Sequence, residues 1–434
     1  MLLKSFAAHV VRTMKNLFLI TDSFPFGVGE KSFIMPEIGP LSKKHNITVL
    51  STASKKIHDE HLDHATFPDG VKVIWLNPRK PVSLLMGTAK ALISKEAHDE
   101  FRAIFKSPAS LPLKLKRVIF ATYYFASSWS LQKQLDKYGV FSDTDNSIFY
   151  TFWFNQSSLA LSLKRKKIPN LKLISRIHGY DLYNERAWFG RQPFQKFKDE
   201  HFNLIIFACD YAREYFETAF ESKDLITKDN HTVVRLGSYP PSKIPEKHST
   251  DTFTIVSCSN IIPLKRVHLI AEAIAFLGDS SIKWIHFGDG IELEKIKSFA
   301  LSSGINAEFK GHVSNEKVKR FYEDNYVDAF ITTSSTEGGC PVSISEALAF
   351  GIPIIGTNVG GIPEQIDGNG VLLSKNPTVI EIANSITALK ELDEDKLRII
   401  RNNSINLFYE KFNLDNNISF LLRAMNEVEN KAKS

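Results

Sequence analysis

Residues 334–351, with the sequence SSTEGGCPVSISEALAFG, combine residue types that can hold an anion. Gly338 and Gly339 supply the backbone freedom of a tight turn, and Pro341 suits the first turn of a helix. Because an apolar run precedes the turn, the pattern predicts a strand, a glycine turn and a helix N-terminus in succession. The free N–H groups and the dipole of such a helix end attract phosphate.

Two glutamates flank this predicted phosphate site. Glu346 falls about one turn inside the helix, where its carboxylate can accept two hydroxyl hydrogen bonds, as from a ribose diol. Glu337 precedes the turn and can accept hydrogen bonds from another polyol, so the combination suits a nucleotide-sugar. The alternative is a capped surface helix with solvated glutamates. A second glycine pair, Gly360 and Gly361, precedes another predicted helix start and strengthens the anion hypothesis.

The elements that must position these residues alternate along the chain. Short apolar runs of strand length are separated by segments of helical length, which predicts parallel sheets covered by helices in an α/β fold. The thirteen predicted strands are 16–21, 46–52, 71–76, 147–153, 171–179, 203–209, 232–238, 253–259, 283–290, 307–313, 329–335, 352–358 and 370–374.

The length of 434 residues predicts two domains. A polar, proline-rich stretch at 241–252 is typical of a linker. We therefore expect a Rossmann-like domain over 1–240, with 1–13 as an extension, and a second over 253–410. Residues 411–434 are predicted to form a helix that packs back on the first domain. Since ligands of such sheets bind beyond the carboxyl ends of the strands, the cleft between the domains is the expected site.

The composition excludes several function classes. With 43% hydrophobic and 24% charged residues the chain is an ordinary globular protein. The net charge of +6 permits an anionic ligand or membrane surface, but the dispersed lysines indicate no nucleic-acid partner. Three widely separated cysteines indicate a reducing cytosol and no zinc or disulfide spacing. No apolar run approaches the roughly 18 residues of a membrane span.

The stretch that begins at Glu337 resembles the C-terminal signature of the retaining glycosyltransferases of family 4, which have the GT-B fold. The family pattern is a glutamate, seven residues, a second glutamate, then Ala, a small run and Gly-x-Pro-x-Ile. Eight residues separate Glu337 from Glu346 here, so Glu337 or Gly338 stands in register with the first family glutamate. The resemblance implies two Rossmann-like domains facing across a cleft, and an enzyme of capsular, exopolysaccharide or lipopolysaccharide synthesis.

Two segments resemble the family's phosphate-binding elements. SCSNIIPLKRVHLIAEAI at 257–274 is similar to the element whose Arg and Lys hold the donor diphosphate. Lys265 matches that Lys, whereas Asn260 stands where the Arg is usual, and Arg266 is the alternative partner. HFGDG at 286–290 resembles the next loop.

Two segments of the N-terminal half also resemble family elements. RIHGYDLY at 176–183 is similar to the His-Gly-x-Asp element, in which the His, here His178, faces the reacting sugar. Asp181 is a possible support of that loop. FPFGVGEKSF at 24–33 is similar to the glycine loop after the first strand, with Gly27 and Gly29 as the positions of close backbone approach.

The resemblance implies front-face transfer, in which the leaving diphosphate assists the acceptor hydroxyl. The implied catalytic residues are His178, Lys265 and Glu337. Lys265 would neutralise charge on the leaving group, so no metal or other cofactor is expected. The implied donor is a UDP- or GDP-sugar and the acceptor a saccharide or a lipid-linked saccharide. The implied donor-binding residues are Gly27, Gly29, Asn260, Arg266, Gly338, Gly339, Cys340, Pro341 and Glu346.

Residues 113–133 mix lysines and an arginine with aromatic residues. This pattern is typical either of an interfacial helix on a membrane or of a helix whose aromatic stripe is core. The expected location is the cytoplasm, with the inner face of the membrane as an option.

Two other functions stay open at this stage: a nucleotide-sugar 2-epimerase and a non-catalytic binding or scaffold protein of an assembly complex. Two stretches with metal-like spacing are predicted to be structural. HDEHLDH at 58–64 is predicted to be a solvated loop, and Asp143 and Asp145 are predicted to lie in a turn.

Overall fold

The computed structural model describes residues 14–62, 67, 69–220, 230–247 and 252–431. The predicted extension at 1–13 and part of the predicted linker lie outside the described residues. The chain divides into two compact units. Unit 1 contains the described residues up to Ile177, Ala187–Ile205 and those from Ala424, and unit 2 contains His178–Arg186 and the described residues of Ile206–Arg423. The predicted domain boundaries stay a prediction.

Seven strands form the first sheet, in the order β3-β2-β1-β4-β5-β6-β7. Its third strand, β1 (Lys15–Thr21), pairs in parallel with β2 (His45–Ser51) and β4 (Ser147–Thr151). Leu17, Leu19 and Ile20 of β1 are at most 2% exposed, which fits a sheet with both faces covered by helices. The remaining strands are β3 (Lys72–Trp75), β5 (Lys172–Ile177), β6 (Leu204–Phe207) and β7 (His231–Val233).

Helices alternate with these strands along the chain. They are α1 (Val28–Ser42), α2 (Lys55–His61), α3 (Pro81–Leu92), α4 (Lys95–Lys106), α5 (Leu111–Lys137), α6 (Gln156–Arg165), α7 (Gly179–Leu182), α8 (Gln195–Asp199) and α9 (Asp210–Phe220).

The second sheet has six strands in the order β10-β9-β8-β11-β12-β13, and all its pairings are parallel. Ile255, Trp284 and Ile331 form its fully buried centre. The strand order reverses between β8 and β11, which is where sheets of this kind open a crevice for ligands. The strands are β8 (Phe253–Cys258), β9 (Ile282–Phe287), β10 (Asn306–Phe309), β11 (Ala329–Thr332), β12 (Ile354–Thr357) and β13 (Gly370–Leu373).

The helices of this part are α10 (His268–Leu277), α11 (Leu293–Ser302), α12 (Asn315–Asp324), α13 (Val342–Ala349), α14 (Val379–Lys390), α15 (Glu394–Leu407) and α16 (Leu414–Lys431). Near the end of α16, Glu429 accepts hydrogen bonds from Lys15 at 2.5 Å and His45 at 3.2 Å, all three within unit 1. Each of the thirteen predicted apolar runs overlaps a strand, so the predicted α/β fold class is confirmed.

The segment 113–133 lies in α5 and divides into two parts. Tyr124 and Phe125 are 4% and 2% exposed and belong to the core beneath α3 and α4. The first turns of α5 instead expose one apolar face, with Leu111, Leu115 and Ile119 between 49% and 70% exposed. The alternative of a core aromatic stripe therefore holds for Tyr124 and Phe125, whereas an interfacial role of the first turns stays a prediction. No helix in the described ranges combines the length and the hydropathy needed to cross a membrane.

The prediction of a solvated loop at 58–64 is wrong for residues 58–61, which lie in α2. Ser54 caps this helix, and the His58 ring stacks on Trp75 with centroids 4.0 Å apart. This stacking gives His58 a structural role in the packing of α2. His64 lies outside the described residues. Asp143 and Asp145 lie beside β4, where they accept hydrogen bonds from the side chains of Asn146 and Asn170.

Candidate functional site

A pocket of about 1020 Å³ lies in unit 2, lined by loops that follow strands of the second sheet and by residues 180–186 and 210–214. Predicted site residues Lys265 and Glu337 line it, together with residues that the sequence did not single out. The lining comprises Tyr180, Tyr183, Glu185, Arg186, Asp210, Tyr211, Glu214, Ile262, Leu264, Lys265, Ser335, Thr336, Glu337, Asn358, Val359, Gly360, Pro363, Glu364 and Lys375.

Lys265 and Glu337 form an ion pair in this pocket. Lys265 ends a short 3₁₀ helix, Pro263–Lys265, and Glu337 precedes the glycine turn. Their side chains are 25% and 13% exposed, so both charges are partly desolvated. An ammonium group in such a place is available to a phosphate, which would compete with Glu337 for it.

Arg266 follows Lys265 in a left-handed conformation with φ 48°. Its guanidinium donates to the carbonyl oxygens of Thr333 at 2.7 Å and of Ser334 and Lys375 at 2.9 Å, and to the side chain of Asn376 at 3.0 Å. This network ties three loops together. The geometry therefore favours a loop-holding role for Arg266, and its contact with a donor stays a prediction.

Glu346 lies in the second turn of α13 and accepts a hydrogen bond from the side chain of Asn315 at 3.3 Å. Burial away from water raises the pKa of Glu346 to about 7. A carboxylate that is poorly solvated and has one weak donor can accept the hydroxyl hydrogen bonds of a diol. Neither Glu346 nor Asn260 lines the pocket described above; Asn260 is exposed in the loop after β8.

The His-Gly-x-Asp segment and the glycine turn are in contact within unit 2. A Cβ on Gly179 would lie 2.5 Å from the Cα of Gly338, so the two backbones touch and neither position has room for a side chain. The Tyr183 hydroxyl donates to the Gly338 carbonyl at 3.4 Å, and Arg186 donates to the Thr336 hydroxyl at 2.9 Å. The tertiary structure thus joins two motifs that are about 160 residues apart.

His178 follows β5 directly and is the N-cap residue of α7. The carboxylate of Asp181 accepts the His178 backbone N–H at 2.7 Å. Asp181 is 3% exposed, so its burial and its hydrogen bond fit a residue that supports the loop. Direct contact of His178 with a substrate stays a prediction.

The two glycine turns of unit 2 pack against each other. Gly360 has φ 55°, and a Cβ there would lie 2.4 Å from the carbonyl oxygen of Glu337. A Cβ on Gly361 would lie 2.6 Å from the backbone nitrogen of Cys340. Gly339 and Pro341 lie in the same turn and are partly buried.

The loop with Gly27 and Gly29 belongs to unit 1 and is organised by a residue that the sequence analysis missed. The buried carboxylate of Glu30 accepts the backbone N–H groups of Asp22, Ser23 and Phe24 at 3.0, 2.6 and 2.6 Å. A Cβ on Gly27 would lie 2.5 Å from the Ser23 side chain, whereas nothing lies within 4 Å of one on Gly29. The signal available was a glutamate in the first turn of a helix after a glycine loop.

Asp22, the residue after β1, adds a second carboxyl group to this loop. Burial raises the pKa of Asp22 to about 6, and the neighbouring charge of Glu30 adds to the increase. The side chain of Asn155 donates to both Asp22 oxygens at 2.8 Å. This region of unit 1 thus holds a carboxyl group whose pKa lies above its usual range because the group is buried.

His286, in the HFGDG segment, is a core residue. Ser257 contacts its Nδ1 at 2.8 Å and the carbonyl of Ser259 accepts from its Nε2 at 3.1 Å. Burial lowers the pKa of His286 to about 4, so the ring is neutral. Gly288, with φ 142°, brings the loop onto Ser259, since a Cβ there would lie 1.9 Å from the Ser259 carbonyl.

The comparisons with known proteins agree with this architecture. The model of the family described as glycosyl transferases group 1 matches residues 241–407. Among solved structures, the crystal structure of Anabaena Alr3699/HepE in complex with UDP is similar to this one, with a TM-score of 0.64 and 16% sequence identity. The alignment covers 95% of this chain and 100% of the HepE chain. The fold is GT-B. Its two parallel-sheet α/β domains correspond to the two sheets described above.

Two curated relatives carry glycosyltransferase names. The putative colanic acid biosynthesis glycosyltransferase WcaL of Escherichia coli is 26% identical over 162 residues, 35% of this chain and 40% of its own length. The GDP-mannose-dependent alpha-(1-6)-phosphatidylinositol monomannoside mannosyltransferase of Mycobacterium tuberculosis is 22% identical over 274 residues, 57% of this chain and 68% of its own length. The chain thus spans less than half of the first of these relatives.

Proposed function

We propose that this GT-B protein is a retaining glycosyltransferase that moves a sugar from a nucleotide-diphosphate-sugar to a hydroxyl of a surface-polysaccharide or glycolipid acceptor. The Lys265–Glu337 pair carries the proposal, because it lies in a large pocket beside two packed glycine turns, within the matched segment. The names of the two relatives support glycosyl transfer. They do not favour an epimerase or a scaffold protein.

Lys265 would bind the diphosphate and neutralise the charge that develops on it as the glycosidic bond to the leaving group breaks. The diphosphate oxygen would then take the proton of the acceptor hydroxyl as that hydroxyl attacks the same face of the sugar. Glu337, released from Lys265, would accept hydroxyl hydrogen bonds from the donor sugar. No metal is expected in these steps, so transfer should need no added Mg²⁺ or Mn²⁺.

The nucleotide of the donor is UDP or GDP in this proposal. The HepE structure contains UDP, and the mycobacterial relative is named for GDP-mannose. Tyr180 and Tyr211 are 62% and 45% exposed and line the pocket beside Glu185 and Glu214, an arrangement of ring faces and carboxylates that suits a neutral saccharide acceptor.

Glu346 supplies a test of nucleotide binding that needs no acceptor. Because the pKa of Glu346 is about 7 in the free protein and diol donors favour the ionised form, binding should release a proton. The affinity for a UDP- or GDP-sugar, whose diphosphate does not titrate in this range, should therefore rise about 10-fold from pH 6 to pH 8 as the ionised fraction of the carboxyl rises. Isothermal titration calorimetry in two buffers of different ionisation enthalpy measures both the affinity and the proton.

Glu346→Gln is expected to bind more weakly at pH 8 and to lose this pH dependence. Glu308→Gln, on the surface strand β10, is the control and should behave as wild type. A wild-type affinity that is flat across this range, or a slope that persists in Glu346→Gln, would remove Glu346 from the donor site. Incubation with UDP- and GDP-sugars and saccharide acceptors, with the anomeric configuration of the product read by NMR, tests retention.

A peripheral membrane contact is the second part of the proposal. Residues 79–123 contain nine basic and three acidic side chains, a net charge of +6 that equals that of the whole chain. The same segment also exposes apolar side chains of α3, with Val82, Leu85 and Met86 between 55% and 73% exposed, in addition to the exposed face of the first turns of α5. Basic residues around apolar side chains suit an anionic bilayer surface.

Replacing Lys106 and Lys116, both exposed, by glutamine should weaken binding to vesicles of anionic phospholipid about 30-fold. Each lysine near such a surface contributes about 1 kcal/mol, and each kcal/mol is about a factor of five. Co-sedimentation with anionic and with purely zwitterionic vesicles measures the effect. The double variant Lys295→Gln/Lys317→Gln, at exposed positions of unit 2, is the matched control. Equal sedimentation of both double variants would contradict a membrane role for this face.

A further inference from the structure

Three potential metal ligands from separate segments of unit 2 meet beside the pocket. Cys209 follows β6, Cys340 lies in the glycine turn before α13, and Glu364 lies in the 3₁₀ helix Ile362–Gln365. The two Sγ atoms and a carboxylate oxygen all lie within 4.8 Å of one another. The thiols are 0% and 6% exposed, whereas Glu364 lines the pocket.

We propose that Cys209, Cys340 and Glu364 form a binding site for a thiophilic divalent cation of the zinc class. In a tetrahedral zinc site, with Zn–S about 2.3 Å and Zn–O about 2.1 Å, the ligand atoms are about 3.6–3.8 Å apart. The observed separations therefore need to shorten by about 1 Å at most, which side-chain rotation can supply. Three protein ligands leave the fourth position to water or to a group in the pocket.

The charges and hydrogen bonds around the cluster suit such an ion. With both cysteines as thiolates, the three ligands carry three negative charges, and Arg235 beside Glu364 carries one positive charge. The net charge of −2 balances a divalent cation, and the two thiol protons are released to solvent on binding. Arg235 donates to one Glu364 oxygen at 2.6 Å and the Tyr211 backbone N–H to the other at 3.0 Å, which orients the carboxylate.

The bound ion would cross-link the three segments that carry Cys209, Cys340 and Glu364. A Cβ on Gly339 would lie 3.0 Å from that of Ala208, so the chain segments that carry the two cysteines already touch. Zinc would hold the glycine turn against the end of β6. The site contains none of the proposed reacting groups and does not depend on the transferase proposal.

The test uses the full-length protein, reduced and freed of metal. Zinc is titrated in competition with a chromophoric chelator, and cadmium is titrated while its thiolate charge-transfer absorption is recorded. We expect one ion to bind per chain. Zinc should raise the melting temperature because the ion binds the folded state. The intensity of the cadmium charge-transfer band should correspond to two thiolate ligands. Failure of the reduced wild type to bind one equivalent of either ion would overturn the proposal.

Matched variants assign the ligands. Cys209→Ser and Cys340→Ser should each weaken zinc binding by more than the 10- to 100-fold that loss of an outer-shell partner costs, and Cys340→Ser should halve the cadmium band. Glu364→Gln should weaken binding without changing that band. Cys258→Ser, at the third cysteine, should match wild type in affinity and spectrum.

Unchanged zinc affinity in Cys340→Ser would overturn the assignment. A second outcome would also overturn it: the reduced protein binds no metal, and glutathione disulfide converts Cys209 and Cys340 to a disulfide. The two cysteines would then form a redox pair. If a serine variant fails to fold, the thiolate count in the cadmium spectrum of wild type and of Cys258→Ser still decides.

Discussion

Lys265→Ala should lower kcat for sugar transfer by about 100- to 1000-fold, the range found when one stabilising donor at a developing negative charge is removed. Binding of the intact nucleotide-sugar, whose diphosphate carries less charge than the leaving group, should weaken much less, by about 10-fold, since one charge-assisted hydrogen bond is lost. The two effects separate because the lysine is needed most when the leaving group carries its full charge. Calorimetry for binding and single-turnover transfer for chemistry measure them independently.

The ion pair with Glu337 sharpens this experiment. Without Lys265, the 13% exposed carboxylate of Glu337 is left in the pocket and repels a diphosphate. Lys265→Ala/Glu337→Gln should therefore bind the nucleotide more tightly than Lys265→Ala alone, while transfer stays low. This non-additivity is the mark of a pair in direct contact.

Lys297→Ala, on α11, is the control and should leave both quantities unchanged. A Lys265→Ala enzyme that keeps the kcat of wild type would exclude Lys265 from leaving-group stabilisation. Loss of binding with an unchanged kcat would instead make Lys265 a residue of donor affinity alone.

Gly179→Ala is expected to have the second-largest effect. The added Cβ would lie 2.5 Å from the Cα of Gly338 and 2.8 Å from the Arg186 guanidinium. The backbone of the glycine turn must then move, which costs about 1–3 kcal/mol of stability, as overpacking does elsewhere. Because Lys265 and Glu337 meet at this turn, a displacement of about 1 Å should also lower transfer about 100-fold.

Thermal unfolding and transfer rates check the two parts of this prediction. Gly338→Ala meets the same contact from the other side at 2.9 Å, so the double variant should lose less stability than the sum of the single variants. Gly39→Ala, in α1 with nothing within 4 Å, is the control and should not be destabilised. If Gly179→Ala has the melting temperature and the transfer rate of wild type, the contact between the two loops is required neither for stability nor for activity.

The order of the elements could be predicted from the sequence because strand and helix signals are local. Thirteen apolar runs were sufficient to predict thirteen strands, and their alternation with helices was sufficient to predict parallel sheets. The helix at 58–61 was missed because its polar composition resembles that of a loop, whereas its stability comes from the Ser54 cap and the packing of His58 on Trp75. Which residues of α5 are buried and which are exposed also depends on the faces that α3 and α4 cover.

What the sequence by itself determined is the set of groups available: two glycine turns, Lys265, Glu337 and Glu346 after strands of a parallel sheet. Only the tertiary structure decided which of them touch. It paired Lys265 with Glu337, turned Arg266 onto carbonyl groups, joined Gly179 to Gly338, and brought Cys209 to Cys340 across 131 positions. The physical reason is that these contacts depend on strand order and loop path, which are set by the packing of distant segments and leave no periodic signal in the residues themselves.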